Sequence, residues 1–368
     1  MKARRDDLVA AVRAAVGELR DPELHRTFDE LGMLRDVQVD RHARAAIGVA
    51  LTTPGCPMVE RIRADVLSAA GSVAGVTEVR IKFATMSADE RAAAAAFAIP
   101  VPSGSSPARA VYAVASGKGG VGKSSVAANL AVALVQQGKT VGLIDADVWG
   151  YSVPQLFGIH RAPVAMNGTM LPVDAHGVRL MSLGFFVSEN EPVVWRGPML
   201  HKALTQFVAD TAWGDLDVLL LDLPPGTGDV TLSVLELLPE AALIAVTTPQ
   251  TAARAVASRV GAMAREVRMP IAGVVENMSG LICVGCGTST PLFGSGGGDE
   301  LAAELDTRLL GRIPLDLSLR TAGDTGVPVV LAEPQSASAV ALRGIADELR
   351  PVRRGLVGRS LGLTPVSR

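Results

Sequence analysis

The sequence predicts an α/β protein in two parts, a mostly parallel, doubly wound sheet domain preceded by a small α+β unit with the order α-β-β-α-β. Three observations carry that expectation. First, VYAVA (111–115), TVGLID (140–145), DVLLLD (217–222), ALIAV (242–246) and IAGVVE (271–276) are short, continuously apolar runs, each followed by a loop and a helix-length segment. Such runs belong to parallel strands buried on both faces. Second, the opening 86 residues carry strand-length runs that alternate apolar and polar positions, as half-buried strands do. Third, PVPSGSSP (100–107) separates the two regions with linker composition.

Within residues 1–86, Leu8, Val9, Val12, Val16 and Leu19 fall on one face of a helix. Val37 and Val39, then Ile47, Val49 and Leu51, alternate as two strands, and Val79, Ile81 and Phe83 as a third. Residues 57–70 read as a helix opening on Pro57, where a missing N–H costs nothing. Residues 87–109 read as a linker whose first half is an Ala-rich helix, and residues 110–350 as the large domain. The tail, 351–368, is basic and broken by Gly and Pro, the pattern of a solvated tail more than of a membrane-surface helix.

With 48% hydrophobic and 20% charged residues, the 368-residue chain has material for a full core. A net charge of −2 gives no global argument for a nucleic-acid or acidic-membrane partner. No apolar run approaches the roughly 20 residues of a membrane span, and the charged N-terminus lacks an apolar signal core. Three cysteines, Cys56, Cys283 and Cys286, exclude a disulfide scaffold. A cytoplasmic protein without stable membrane association is expected.

Gly117 to Ser124, GKGGVGKS, satisfies G-x-x-x-x-G-K-[ST] between an apolar strand and the helix-forming SSVAANLAVALVQQ. Glycines let successive N–H groups converge on phosphate, and the helix N-terminus adds partial positive charge. Lys123 is expected to reach the β- and γ-phosphates, and the Ser124 hydroxyl to bind Mg²⁺. Gly117, Lys118, Gly119, Gly120, Val121, Gly122 and Ser125 complete the candidate nucleotide cradle. Asp145 and Asp147 end one strand and Asp222 another, where carboxylates suit a magnesium ion or an attacking water. Asp229, before TLSVLELL, reads as a helix N-cap.

Lys118 is surplus to a simple phosphate loop. The chain holds six lysines against 29 arginines, so a second lysine in the loop calls for a compact point charge in a tight cradle. With that extra early lysine, KGGVGK resembles the deviant Walker A loop of the MinD/ParA/nitrogenase-iron-protein group of ATPases. The resemblance implies that Lys118 crosses a face-to-face dimer to the partner's ATP, that Asp147 orients the water, and that Asp222 holds Mg²⁺ through water with Asp145 in support. It also implies that Asn277 reads adenine.

Cys283 and Cys286 form one C-x-x-C, which can be a redox pair, half of a zinc site or half of an iron–sulfur site. A metal or cluster site needs about four protein ligands. The remaining cysteine lies far off in the small unit, so a two-fold homodimer is the economical way to bring four thiolates together. Cys56, at a helix start before Pro57, is open to a cluster-handling or a structural role.

The order and spacing of SGKGGVGKSS, DADVWG, VVWRGPM (193–199), DLPPGTGD (222–229), VTTPQ (246–250), ENMSGLICVGCG (276–287), FGSGGG (293–298) and GRIPLD (311–316) are similar to the Mrp/ApbC family of ATP-dependent iron–sulfur cluster carriers. DPEL, LGML and TTPGCP in the small unit resemble PaaD-like iron–sulfur assembly domains. One segment departs from the family's Tyr-Gly-Pro-Ser: here it reads Trp149-Gly150-Tyr151-Ser152. The resemblance implies an ATPase that carries a labile [4Fe–4S] cluster at a homodimer interface, with apoproteins and scaffold proteins as partners and no nucleic acid. A MinD/ParA-like positioning switch and a nitrogenase-iron-protein-like reductase are the competing expectations.

Overall fold

The computed structural model describes residues 2–22, 26–51, 58–95, 107–147, 150–166, 168–186, 197–227, 231, 234, 237–283 and 285–350. Cys56, Pro57, Trp149, Asp229 and the tail 351–368, all singled out by sequence, lie outside the described residues, as do residues 193–196 of VVWRGPM.

The small unit runs helix Lys2–Gly17, β1 (Leu34–Val39), β2 (Arg44–Leu51), helix Val59–Gly71 and β3 (Glu78–Thr85). β1 and β2 pair antiparallel, whereas β2 and β3, joined through a helix, pair parallel. Val12 and Val16 from the first helix, Ile47 and Val49 from β2, and Ile62 and Val66 from the second helix form its core. That core also takes in Met86 and Ala94, so the helix Ala88–Ala95 packs on the small unit.

A capping box starts that last helix. The Glu90 carboxylate accepts from the Ser87 N–H at 2.8 Å, and the Ser87 hydroxyl accepts from the Glu90 N–H at 3.3 Å. Glu90 also ion-pairs with Arg35 of β1 at 2.6 Å. Chiefly through Arg35, and then through Ser87, its carboxyl is held down to about 2, against an ordinary 4.5. A depressed folded-state value means that the contact stabilises above the ordinary carboxyl value and is lost as pH falls toward about 2. Glu90→Gln is therefore expected to lower stability modestly at neutral pH and to flatten the acid dependence, as checked by parallel thermal melts of both chains at about pH 7 and about pH 3.

The large domain contains β4 (Ala108–Ser116), β5 (Val141–Asp145), β6 (Val164–Met166), β7 (Thr169–Leu171), β8 (Val173–Ala175), β9 (Val178–Ser182), β10 (Leu216–Asp222), β11 (Ala242–Thr247), β12 (Ile271–Ile282), β13 (Ser289–Thr290) and β14 (Leu309–Leu315). The main sheet has the order β13-β12-β11-β4-β10-β5-β9-β8, with β14 beside β12. Pairings within it are parallel except β12–β13 and β8–β9. Both faces are covered. Tyr112 and Val114 of β4 meet helices Lys123–Gln136 and Ala337–Glu348 on one side. Val111, Ala113 and Ala115 meet Leu204 and Phe207 of helix Gly197–Ala209 and Val260 and Ala264 of helix Thr251–Glu266 on the other. The chain leaves β4 toward β5 on one side and later returns to place β11 on the other, so β4 is the switch strand of the sheet.

The hairpin β6–β7 stands off the main sheet. Met166 and Leu171, both buried, join the core of the small unit, and Arg61 of that unit reaches Asp174 at 3.7 Å. The two parts of the chain thus share one apolar cluster. Among the described residues no helix is long and apolar enough to cross a membrane.

Candidate functional site

The loop from Gly117 to Gly122 follows the switch strand β4, and helix Lys123–Gln136 begins immediately after it. Two glycines are needed for physical reasons. At Gly117 a Cβ would lie 2.3 Å from the backbone of Val256 and Ala257, so the loop begins in direct contact with helix Thr251–Glu266. At Gly122 the backbone has φ +80°, and a Cβ would meet the Asn277 amide nitrogen at 2.3 Å.

Strand register brings the carboxylates together. Asp222 of β10 pairs in register with Asp145 of β5, so two fully buried acids stand side by side at the carboxyl end of the sheet. Lys123 answers them. Its Nζ lies 2.6 Å from Asp222 Oδ1, 3.5 Å from Asp147 Oδ2 and 3.3 Å from Ser124 Oγ. Burial, then the Asp222 charge, drives the Asp145 carboxyl well above its ordinary value. Burial also raises Asp222, against the pull of Lys123.

Asp145 is held by three donors: Ser182 Oγ at 2.9 Å, the Asp147 N–H at 3.2 Å and the Val153 N–H at 3.4 Å. Asp147 accepts from the Gly150 N–H at 3.1 Å. Asp222 Oδ2, by contrast, is buried with no hydrogen-bond partner among the described residues. An unpartnered carboxylate oxygen beside the Ser124 hydroxyl fits a hard cation with oxygen ligands.

Lys118 sits at the loop's rim, half-buried, with its Nζ donating to Gln250 Oε1 at 3.1 Å. Asn277, on β12, is buried; its amide donates to the Val121 carbonyl at 2.8 Å and accepts from the Met278 N–H at 2.9 Å. In this structure Asn277 therefore braces the phosphate loop, a role that sequence reasoning did not assign. Gln250, Ser182 and the buried Glu276, whose carboxylate accepts from the Gly298 N–H at 2.6 Å, were also missed. Each acts on a partner at least 22 residues away, beyond any local motif.

β12 runs on from Asn277 to the cysteine turn. Cys283 and Cys286 are both exposed free thiols. The Cys283 N–H donates to the Thr288 carbonyl at 3.0 Å and the Gly287 N–H to the Cys283 carbonyl at 2.8 Å, closing a tight turn. The Cys286 thiol is lowered below its ordinary value, first by the Thr288 hydroxyl 3.3 Å away, then by the Thr288 backbone and by Cys283. A thiol biased toward thiolate is a better metal ligand. Among the described residues no group of three or more His, Cys, Asp or Glu side chains gathers to hold a metal ion.

Residues 108–350 match the family model described as NUBPL iron-transfer P-loop NTPase, and residues 9–81 match that of an iron–sulfur cluster assembly protein. The chain is 48% identical to the iron–sulfur cluster carrier protein of Mycobacterium tuberculosis over 100% of both chains. It is 44% identical to that of Deinococcus radiodurans, over 92% of this chain and 94% of the relative. Among solved structures, a nucleotide-binding protein from Archaeoglobus fulgidus in complex with ADP is similar, with a TM-score of 0.55 and 38% identity, covering 62% of this chain and 90% of that one. The phosphate loop on its switch strand and these end-to-end likenesses converge: the chain belongs to the iron–sulfur cluster carrier family of P-loop NTPases, and its large domain is a P-loop ATPase.

Proposed function

We propose that the protein is a homodimeric carrier that holds a [4Fe–4S] cluster between two Cys283-x-x-Cys286 turns and passes it to apoproteins under the control of Mg-ATP. The observation that carries this reading is the placement of two exposed thiols at the end of the strand whose Asn277 holds the phosphate loop. A second copy related by a two-fold axis would supply the other two sulfurs. Leu281, Ile282 and Leu292 are exposed around the turn, an apolar surround suited to contact between copies.

The residues divide the work as follows. The backbone amides of residues 117–124 and the Lys123 ammonium receive the phosphates. Ser124 and Asp222 would hold Mg²⁺, with Asp145 behind them; the ion supplies positive charge at the phosphate oxygens. Asp147 orients the attacking water, and Lys118 delivers a cation to the partner's nucleotide as charge develops. Asn277 retains one amide hydrogen and one lone pair beyond its two bonds here, the complement adenine needs. Residues 1–86, which the helix Ala88–Ala95 extends, act as an assembly domain, in a cytoplasmic protein that also meets scaffold proteins.

The direct test is transfer of cluster from the reconstituted protein to an apo-enzyme, followed by recovery of that enzyme's activity. Transfer is expected, with a rate that changes on adding Mg-ATP. A reconstituted protein that never activates the apo-enzyme under either condition would sink the carrier reading.

A further inference from the structure

We propose that Gln250 is a positioning residue for Lys118: its amide oxygen keeps the ammonium on its own subunit and has to release it before the lysine can reach a neighbouring copy's nucleotide. The inference rests on the reading of Lys118 as a cation acting across the dimer, and deepens it.

Two independent features of the fold point to this latch. The first is that Gln250 does not do the local job of its position. It is the N-cap of helix Thr251–Glu266, with an extended backbone at φ −64° and ψ 131°, yet its side chain makes no bond to the helix amides. N-caps are ordinarily short polar residues whose oxygen folds back onto those amides. Glutamine is one methylene too long for that, and here its amide oxygen accepts from Lys118 at 3.1 Å, across 132 positions of sequence. The N-caps Met58 and Pro328 likewise make no such bond, so what marks Gln250 is the distant partner that its amide does take.

The second feature is the close approach at Gly117. A Cβ there would lie 2.3 Å from the backbone of Val256 and Ala257, so the first turn of the loop is pressed against the helix that Gln250 opens. Ser116 Oγ also donates to the Lys118 carbonyl at 3.0 Å. The base of Lys118 is thus fixed, and among the described residues its tip is held by Gln250. Across the corner, a Cβ at Gly297 would lie 2.7 Å from the Pro249 carbonyl oxygen, so the Pro249–Gln250 corner is also supported from behind.

The chemistry of the holding group matters. A neutral amide oxygen accepts one hydrogen bond from the ammonium and adds no net charge, so it yields to a polyphosphate. A carboxylate in its place would form an ion pair with Lys118 and compete with the partner's nucleotide for the same charge. Glutamine therefore sets a grip strong enough to orient the lysine and weak enough to let it leave.

The experiment uses the full chain, with single-turnover and steady-state ATP hydrolysis and separate nucleotide-binding titrations. Gln250→Glu is expected to lower kcat roughly tenfold while KM for ATP stays within about twofold, and this loss should vanish in a Lys118→Ala background. Gln250→Ala, which removes the hold, should raise kcat in the Lys118 background. A Gln250→Glu protein with unchanged kcat, or one that loses as much without Lys118 as with it, overturns the latch. A Gln250→Ala protein as slow as Gln250→Glu overturns it too. Normal turnover by Lys118→Ala alone would instead remove the trans-acting lysine, so the two failures are told apart by one variant.

Discussion

A Cys283→Ala/Cys286→Ala chain is expected to leave anaerobic reconstitution with iron and sulfide colourless, while binding ATP as the parent does. In a two-fold assembly the double change removes all four thiolates at once, and an iron–sulfur cluster has no adequate hold without them. The single changes are informative as well. Each removes two of four ligands, so cluster occupancy should fall sharply and the remaining cluster should be lost faster to a chelator. The Thr288 hydroxyl and amide lower the Cys286 thiol, so Thr288→Val should slow cluster loading near neutral pH without removing a ligand. Iron and sulfide analysis alongside visible absorbance reads all of these. A double variant that retains its cluster would show that other residues hold the cargo.

Lys123→Ala is expected to abolish nucleotide binding and also to destabilise the protein. The second effect follows from burial. Lys123 is 5% exposed and Asp222 is fully buried, so removing the ammonium leaves the Asp222 carboxylate beside Asp145 without its ion-pair partner. Breaking a buried pair from one side costs about 3–5 kcal/mol. Adding Asp222→Asn to Lys123→Ala should recover much of that stability and none of the binding, because the uncompensated charge is gone while the phosphate cation is still missing. Denaturant unfolding and a fluorescent-nucleotide titration separate the two effects. A Lys123→Ala protein as stable as the parent would mean that the acids are neutral in the folded chain.

The parts of this molecule that could be read in advance are those written into contiguous residues. β4, β5, β10, β11 and β12 each fall on an apolar run, because a strand buried on both faces has no polar position to spare. The loop 117–124 and the cysteine turn were legible because their chemistry needs fixed spacing. β6, β7 and β8 were not, since three residues carry no usable periodicity. Their partners are also remote: Met166 and Leu171 find their apolar neighbours in the small unit. The helix after β2 is described from Val59, with Met58 as its cap, whereas Pro57 was the expected start. In the site, Asp145, Asp147, Asp222 and Lys123 were each expected, but their contact depends on the register of β5 against β10. The grip of Gln250 on Lys118 and of Asn277 on the loop carbonyl depends on how separate βα units meet at the switch strand.

The stretch of β12 between Asn277 and Leu281 is irregular: its pairing with β14 shifts there, and Met278 sits at φ +57°. That irregularity sets a phase and a length. Because side chains alternate along a strand, deleting one residue would exchange the faces of Leu281 and Ile282, the last strand residues before the cysteine turn. Deleting two would keep the facing but draw them back by about 6–7 Å. In the proposed dimer, two copies that meet at their nucleotides would bring their sulfurs together only at one value of both quantities. The few residues between brace and turn would there act as a spacer gauge between nucleotide and cluster.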